Sequence, residues 1–264
     1  MTDLTDRADT KVAKDAQAAK GRLIVCSTPI GNLGDITQRV IQALEQADAV
    51  LAEDTRVTRR LLTHLNIHTK LERCDEHVIR ERAGQLTARI AAGQVLALVS
   101  DAGTPAVSDP GAVLVAAVRA AGLPVEVLPG ASAVLTALVA SGFAAQSFYF
   151  AGFLPRRSQQ RQALLIQLAE LPAVLIFYES APRTLATLST IAEVFPDRQI
   201  CLARELTKLH EEVLIDSADA LQGLIMEREQ SKQPLKGEIV LLVEAPTKST
   251  AKIHVDKYEG LSEN

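Results

Sequence analysis

Tryptophan is absent from this 264-residue chain, and six Phe and three Tyr are its only large aromatics. A broad platform for stacking unpaired bases is therefore excluded. The three cysteines, Cys26, Cys74 and Cys201, lie far apart, with no CxxC pair and no histidine at ligand spacing. This excludes a disulfide framework and a zinc site, so no metal is expected, and it suits a reducing compartment. No apolar run approaches the roughly 18–20 residues that span a bilayer. Residues 1–22, MTDLTDRADTKVAKDAQAAKGR, are polar and lack the apolar core of a signal peptide. The expected location is the cytoplasm, without membrane contact. Basic excess is missing too: the net charge is −4, so any RNA contact must come from local patches. Also absent are GxGxxG, GxxxxGK[ST], HExxH, an EF-hand loop and a GxSxG elbow, which removes support for nicotinamide, ATP and metal-assisted hydrolysis.

What is present is an alternation of apolar runs and helical patterns. RLIVCST (22–28), AVLAE (49–53), VLALVS (95–100) and VEVLP (125–129) read as strands. Between them lie amphipathic helices, one opened by Asp54 as a capping residue and one running through DEHVIRERAGQLTARIAAG to a terminal glycine. A further helix is expected over 110–121. Continuous apolar strands separated by helices predict a mostly parallel sheet covered on both faces. The second half adds a small-residue helix in GASAVLTALVASG, then SFYFAGF, AVLIFYE (173–179), QICLARE (199–205), EEVLID and GEIVLLVE (237–244) as strands. The adjacency of the last two predicts a mixed sheet. The fold class is thus α/β, with two domains over 22–129 and 130–245. The polar ends, 1–21 and 246–264, are expected to be flexible tails.

Four consecutive strands of the first half end in loops rich in Gly, Pro, Ser, Thr and Asp: STPIGNLGD, AEDTR, SDAGTPAVSDPG and LPGASA. In open α/β sheets ligands bind outside the carboxyl ends of the strands. One such loop is ordinary turn chemistry, whereas four at one rim suit a small polar ligand lying against exposed backbone. Gly31, Gly34, Gly103, Gly111 and Gly130 would allow close approach, and Pro29, Pro105, Pro110 and Pro129 would fix the loops in advance.

Eight segments in order, STPIGNLGDIT, AEDTR, SDAGTPAVSDPG, LPGASAVLTAL, FAGFLPR, FYES, ARELTKLHEE and GEIVLLVE, resemble the small-subunit ribosomal RNA methyltransferase I family across residues 22–245. That family lies within the tetrapyrrole methylase superfamily of class III methyltransferases. The resemblance implies S-adenosyl-L-methionine as cofactor, held in the cleft between two α/β domains. It also implies a homodimer acting on 16S rRNA within the small ribosomal subunit, at the ribose 2′-hydroxyl of a cytidine in the decoding region. Two departures stand out. APRTL follows FYES where the family has Pro-His-Arg, so Arg183 keeps its place but no histidine role carries over. The segment after Glu244 is short and polar, where relatives carry a further helical piece.

The resemblance further implies that Pro29, Asp101, Gly103, Thr104, Ser108 and Asp109 line the donor pocket, with Pro129, Ala131, Ser132 and Ala133 as its wall. Asp109 is equally placed to cap a helix beginning at Pro110, and the alanines suit tight packing as well as contact. Phe177 and Tyr178 end a strand and are read as donor contacts, although an aromatic there also suits a core. Leu206 and Gly237 are read as flanking the adenine.

Transfer to a hydroxyl benefits from a nearby base. The candidates are Glu53, Asp54, Glu179 and Glu205, of which Glu205, with Arg204 beside it, and Glu179 are carried as catalytic candidates; a plain Glu205–Arg204 ion pair is the alternative. Arg56 and Arg59 in TRVTRR, Arg156 and Arg157 in LPRRSQQR, Arg183 in APRTL and Lys208 in ARELTK are candidate RNA contacts. IRER, with alternating charge, is assigned to a solvated surface. Two other readings stay open: methylation of a tetrapyrrole intermediate, and a non-catalytic RNA-binding assembly factor on the same fold.

Overall fold

The computed structural model describes residues 21–109 and 111–246. They divide into two compact units, parted between Ser132 and Ala133, three residues beyond the 129/130 boundary read from the sequence. Of the expected tails, only Gly21 and Pro246 fall within the described residues; Pro110 falls outside them.

The first unit is a five-stranded sheet of β1 (Arg22–Cys26), β2 (Ala49–Ala52), β3 (Leu71–Arg73), β4 (Val95–Val99) and β5 (Val125–Leu128), in the order β3-β2-β4-β1-β5. Every pairing is parallel, with Ile24 opposite Ala97 and Val50 opposite Ala97 on the central strands. The alternation of side chains sends the strands into two separate cores. Ile24, Cys26, Val50, Ala52, Ala97 and Val99 meet α1 (Gln38–Gln46) and α2 (Thr55–His64) through Val40, Leu44 and Leu62. Leu23, Val25, Leu51, Leu96 and Leu98 meet α3 (Glu76–Ala91) and α4 (Ala112–Ala120) through Ile79, Leu86, Ile90 and Leu114. Helices thus cover both faces, which is why these strands read as unbroken apolar runs. β3 had no such signature; its residues LER are only partly buried at the sheet edge.

Asp54 caps its helix as the sequence indicated, and two further side chains do the same elsewhere. Thr37, Asp54 and Asp75 each accept a first-turn amide, from Val40, Arg56 and Val78. The fourth helix begins at Ala112 rather than at 110, and no side chain caps it. Asp109 instead accepts from the Gly111 amide at 2.9 Å, one turn before the helix proper.

The second unit holds α5 (Ala133–Ala140), β6 (Phe148–Phe153), α6 (Ser158–Leu168), β7 (Val174–Ser180), α7 (Ala181–Val194), β8 (Ile200–Arg204), β9 (Glu212–Asp216), α8 (Ala218–Gln230) and β10 (Glu238–Val243). Its sheet order is β6-β7-β10-β8-β9. Only β6 and β7 run parallel; β10 lies antiparallel to both β7 and β8, and β8 to β9. The core packs α6, α7 and α8 on one face through Leu165, Leu188, Ile191, Leu221 and Ile225. Phe177 lies in this core, fully buried. Of the two readings the sequence left open for Phe177, the core one describes its ring, which its register position on β7 commits to packing. Among the described residues no helix is long and apolar enough to cross a membrane.

Candidate active site

The order β3-β2-β4-β1-β5 sets the position of the site. The chain leaves β1 toward β2 on one side and leaves β4 toward β5 on the other, so the crevice between the carboxyl ends of β1 and β4 is a topological switch point. The loops there are joined to each other. Thr28 and Gly103 form an isolated bridge, with the Thr28 amide donating to Gly103 at 2.9 Å and the Gly103 amide donating back at 3.0 Å. The Thr28 hydroxyl donates to the Ser100 carbonyl at 3.3 Å. The Ser27 hydroxyl lies 2.9 Å from that of Thr104 and donates to the Leu128 carbonyl at 3.1 Å. The β2 loop is tied in by Asp101, whose carboxylate accepts from the Asp54 amide at 3.0 Å. Four loops that the sequence placed at one rim are therefore fastened into one surface.

Two glycines permit this closeness. A Cβ on Gly130 would stand 2.7 Å from Cβ of Ser27, and Gly103 adopts a φ of +75°. Ala106 and Ser108 have positive φ without being glycine, at 71° and 58°. Such strain persists only where surrounding contacts over-determine it, and it gathers at functional loops.

Carboxylates predominate at the rim, with Glu53, Asp101 and Asp109 near one another and Arg56 paired to Asp54. Burial, then the neighbouring Asp109 and Asp101, raises the Glu53 carboxyl above its ordinary range. Asp101 is raised likewise, by burial first and then by Asp54 and Asp109. Asp54 goes the other way, to about 2, because Arg56 binds its carboxylate. A phosphate ligand would be repelled here, whereas a cationic ligand with hydroxyl groups meets carboxylates, hydroxyls and accessible backbone. The donor set thus fits a sulfonium compound. No three His, Cys, Asp or Glu among the described residues are grouped to hold a metal ion.

Of the donor-pocket residues read from the sequence, Asp101, Gly103, Thr104, Ser108 and Asp109 sit together on the loop after β4. Pro29, Pro129, Ala131 and Ser132 lie on the joined loops of the same unit. Ser27, Thr28 and Ser100 were missed, although STP and LVS carry them; their role appears only when Thr28 and Gly103 pair. Ala133, Tyr178, Leu206 and Gly237 belong to the second unit. There Tyr178 packs edge-on between Phe150 and Phe153, with ring centroids 4.8 and 5.5 Å away. Leu206 is buried.

The structure redraws the catalytic candidates. Arg204 does not pair with Glu205. Its Nε meets Glu212 at 3.1 Å, while Glu205 accepts from Lys208 Nζ at 2.8 Å and from the Glu238 amide at 2.9 Å. Burial alone would raise the Glu205 carboxyl, but Lys208 and the Glu238 amide outweigh it and hold it below its usual range. Glu205 and Thr207 both have positive φ, 50° and 65°. Gly237 lies directly under the Glu205 carboxylate, where a Cβ would come within 2.4 Å of it. Glu179 is 2% exposed and bonded only within its own unit.

The basic residues separate similarly. Arg56 is held by Asp54, Lys208 by Glu205 and Glu238, and Arg183 by Glu179 and the Leu154 carbonyl. Arg161, from the LPRRSQQR cluster, turns inward to Thr190 and the Ala186 carbonyl and is 5% exposed. Arg59, Arg60, Arg156 and Arg157 are exposed and have no ion pair among the described residues. Arg59 and Arg60 line a shallow hollow of about 770 Å³ on α2 with Thr63 and His64, one turn or two beyond the acidic rim.

The model of the tetrapyrrole (corrin/porphyrin) methylases matches residues 22–222. The ribosomal RNA small subunit methyltransferase I of Rickettsia prowazekii is 41% identical over 224 residues, 85% of this chain and 78% of that protein. The protein of the same name from Vibrio cholerae is 45% identical over 222 residues, 84% of this chain and 76% of its own. Among solved structures, uroporphyrin-III C-methyltransferase from Thermus thermophilus, complexed with S-adenosylhomocysteine, shares the fold. It has a TM-score of 0.58 and 18% identity, covering 85% of this chain and 97% of that one. Family model and relatives agree with the joined switch-point loops, and the chain belongs to the ribosomal RNA small subunit methyltransferase I family of the tetrapyrrole methylases.

Proposed function

We propose that this protein is an S-adenosylmethionine-dependent ribosomal RNA methyltransferase, acting on the ribose 2′-hydroxyl of a cytidine in the decoding region of 16S rRNA. The substrate is the small subunit, and the enzyme works as a homodimer in the cytoplasm. The observation that carries the reading is the acidic, close-packed rim formed by Ser27–Thr28, Glu53–Asp54, Ser100–Thr104 and Leu128–Ala131. When bound, S-adenosylmethionine supplies an electrophilic methyl on a positively charged sulfur; the hydroxyl oxygen forms the new C–O bond as the S–C bond breaks, and the hydroxyl proton leaves.

The chain's own residues do the holding. Glu53, Asp101 and Asp109 give the rim a potential that favours a cation over the neutral thioether product, which assists release after transfer. Ser27, Thr104 and the backbone around Gly103 and Gly130 offer hydroxyl and main-chain partners to ribose and adenine. Glu53 is a base candidate whose proton affinity is raised by burial and by Asp109 and Asp101, which suits it to accept the hydroxyl proton. Alignment of donor and acceptor supplies the larger share of rate, up to about 7–11 kcal/mol in favourable cases. The exposed arginines of α2 stand next to this rim, where phosphates flanking the acceptor ribose would lie.

The test is incubation of the protein with labelled S-adenosylmethionine and small subunits from cells lacking it, beside uroporphyrinogen and protein-free 16S rRNA. Label in subunits, mapped by mass spectrometry to one ribose, supports the reading. Label in uroporphyrinogen alone supports the tetrapyrrole alternative, and donor binding with no label in any substrate supports the assembly-factor alternative.

A further inference from the structure

Glu179, next to last in β7, has its side chain fully enclosed beside Arg183. Carboxylates are rarely buried unless paired, and here every bond is internal. Oε1 accepts from the Ser180 amide at 2.8 Å and lies 3.2 Å from Arg183 Nε. Oε2 accepts from the Thr187 hydroxyl at 2.6 Å. Arg183, four residues on along α7, is about three-quarters buried. Its Nη2 donates to the Leu154 carbonyl at 2.6 Å and lies 3.4 Å from that of Pro155. One guanidinium thus joins the end of β7 to the chain between β6 and α6. Leu154 is buried at the start of that stretch, and Arg156 and Arg157 emerge from it exposed. Arg157 is the residue before α6; its side chain makes no capping bond, while its carbonyl accepts from the Arg161 amide at 3.0 Å.

We propose that Glu179 and Arg183 are a positioning pair that holds the Leu154–Arg157 turn so that Arg156 and Arg157 meet the phosphates of the RNA substrate, and that neither of the pair exchanges a proton in methyl transfer. This rests on the ribosomal RNA reading above. The buried carboxylate fixes the plane of the guanidinium, and the planar fork then takes the Leu154 carbonyl in a set direction. Lysine carries the same charge without that fork. The pair therefore acts on substrate binding, through the turn, and leaves the chemical step alone.

The test compares Glu179→Gln, Arg183→Lys and the double variant Arg156→Ala/Arg157→Ala, using the full chain, S-adenosylmethionine and small subunits lacking the methyl group. Glu179→Gln and Arg183→Lys each raise KM for subunits roughly tenfold, with kcat within about threefold and the dissociation constant for S-adenosylmethionine unchanged. In the Arg156→Ala/Arg157→Ala background, adding Arg183→Lys raises KM by less than about twofold, since the groups being positioned are already gone. A fall in kcat of about a hundredfold in Glu179→Gln with KM unchanged overturns the proposal in favour of a proton acceptor. Multiplicative effects of Arg183→Lys and Arg156→Ala/Arg157→Ala overturn it in favour of a purely structural pair. If Glu179→Gln does not fold, Arg183→Lys, which retains the charge, decides on the same two readouts. A wild-type protein that binds the donor but leaves subunits unlabelled overturns the RNA reading itself and the assignment with it; an active wild type with the wrong variant pattern overturns the pair alone.

Discussion

Replacing Asp101 by Asn removes one negative charge from the rim while keeping an oxygen for the Asp54 amide, now 3.0 Å from the carboxylate. Burial and the charges of Asp54 and Asp109 raise the Asp101 carboxyl in the folded protein. The folded state therefore binds that proton more tightly than the unfolded chain does. Ionisation costs stability, and the cost grows as pH rises through the folded value. At neutral pH Asp101→Asn is expected to be more stable than wild type. Below about pH 4, where the carboxyl is neutral, the difference disappears. Asp101 is exposed and Arg56 offsets part of the repulsion, so screening limits the gain to a few tenths to about 1 kcal/mol. With a urea slope of about 1–3 kcal/mol/M this moves the unfolding midpoint upward by a few tenths molar. The same charge attracts a sulfonium. Calorimetry should show S-adenosylmethionine binding about fivefold more weakly, a loss near 1 kcal/mol, and S-adenosylhomocysteine changing less. Lower stability at pH 7, an equal stability difference at pH 4 and pH 7, or equal weakening of both ligands would refute the electrostatic account of the rim.

Three further expectations can be checked independently. Gly237→Ala places a methyl within 2.4 Å of the Glu205 carboxylate at a φ of +96°; urea unfolding should register a loss of roughly 2–3 kcal/mol. Arg59→Ala/Arg60→Ala removes two exposed cations from α2. It should weaken subunit binding, and the slope of log affinity against log salt should flatten by about two. Burial pushes the thiols of Cys26 and Cys201 up to about 12 and that of Cys74 to about 11. A thiol reagent at pH 8 should leave all three unmodified in the native protein and modify all three in denaturant.

Sequence alone determined the class of fold and gathered the polar loops at one rim of the first sheet. Unbroken apolar strands between amphipathic helices require a sheet buried on two sides, and loops full of Gly, Pro and Asp after β1, β2, β4 and β5 mark the rim of such a sheet. Both follow from local period and composition, which a single chain displays. The short β3, with its half-exposed LER, had too little pattern to be read. Side-chain partnerships were decided by tertiary structure. Neighbours in sequence, Arg204 and Glu205 turn to different partners because β8 ends at Arg204 and the chain turns at Glu205, whose φ is +50°. Phe177 and Glu179 share the inward face of β7 for the same reason, and Tyr178 does not. Ser27 gained its place only when β5 and the loop after β4 came beside it, across 101 and 77 residues of chain. Contacts of that separation are set by sheet order, and sheet order is a property of the packed whole.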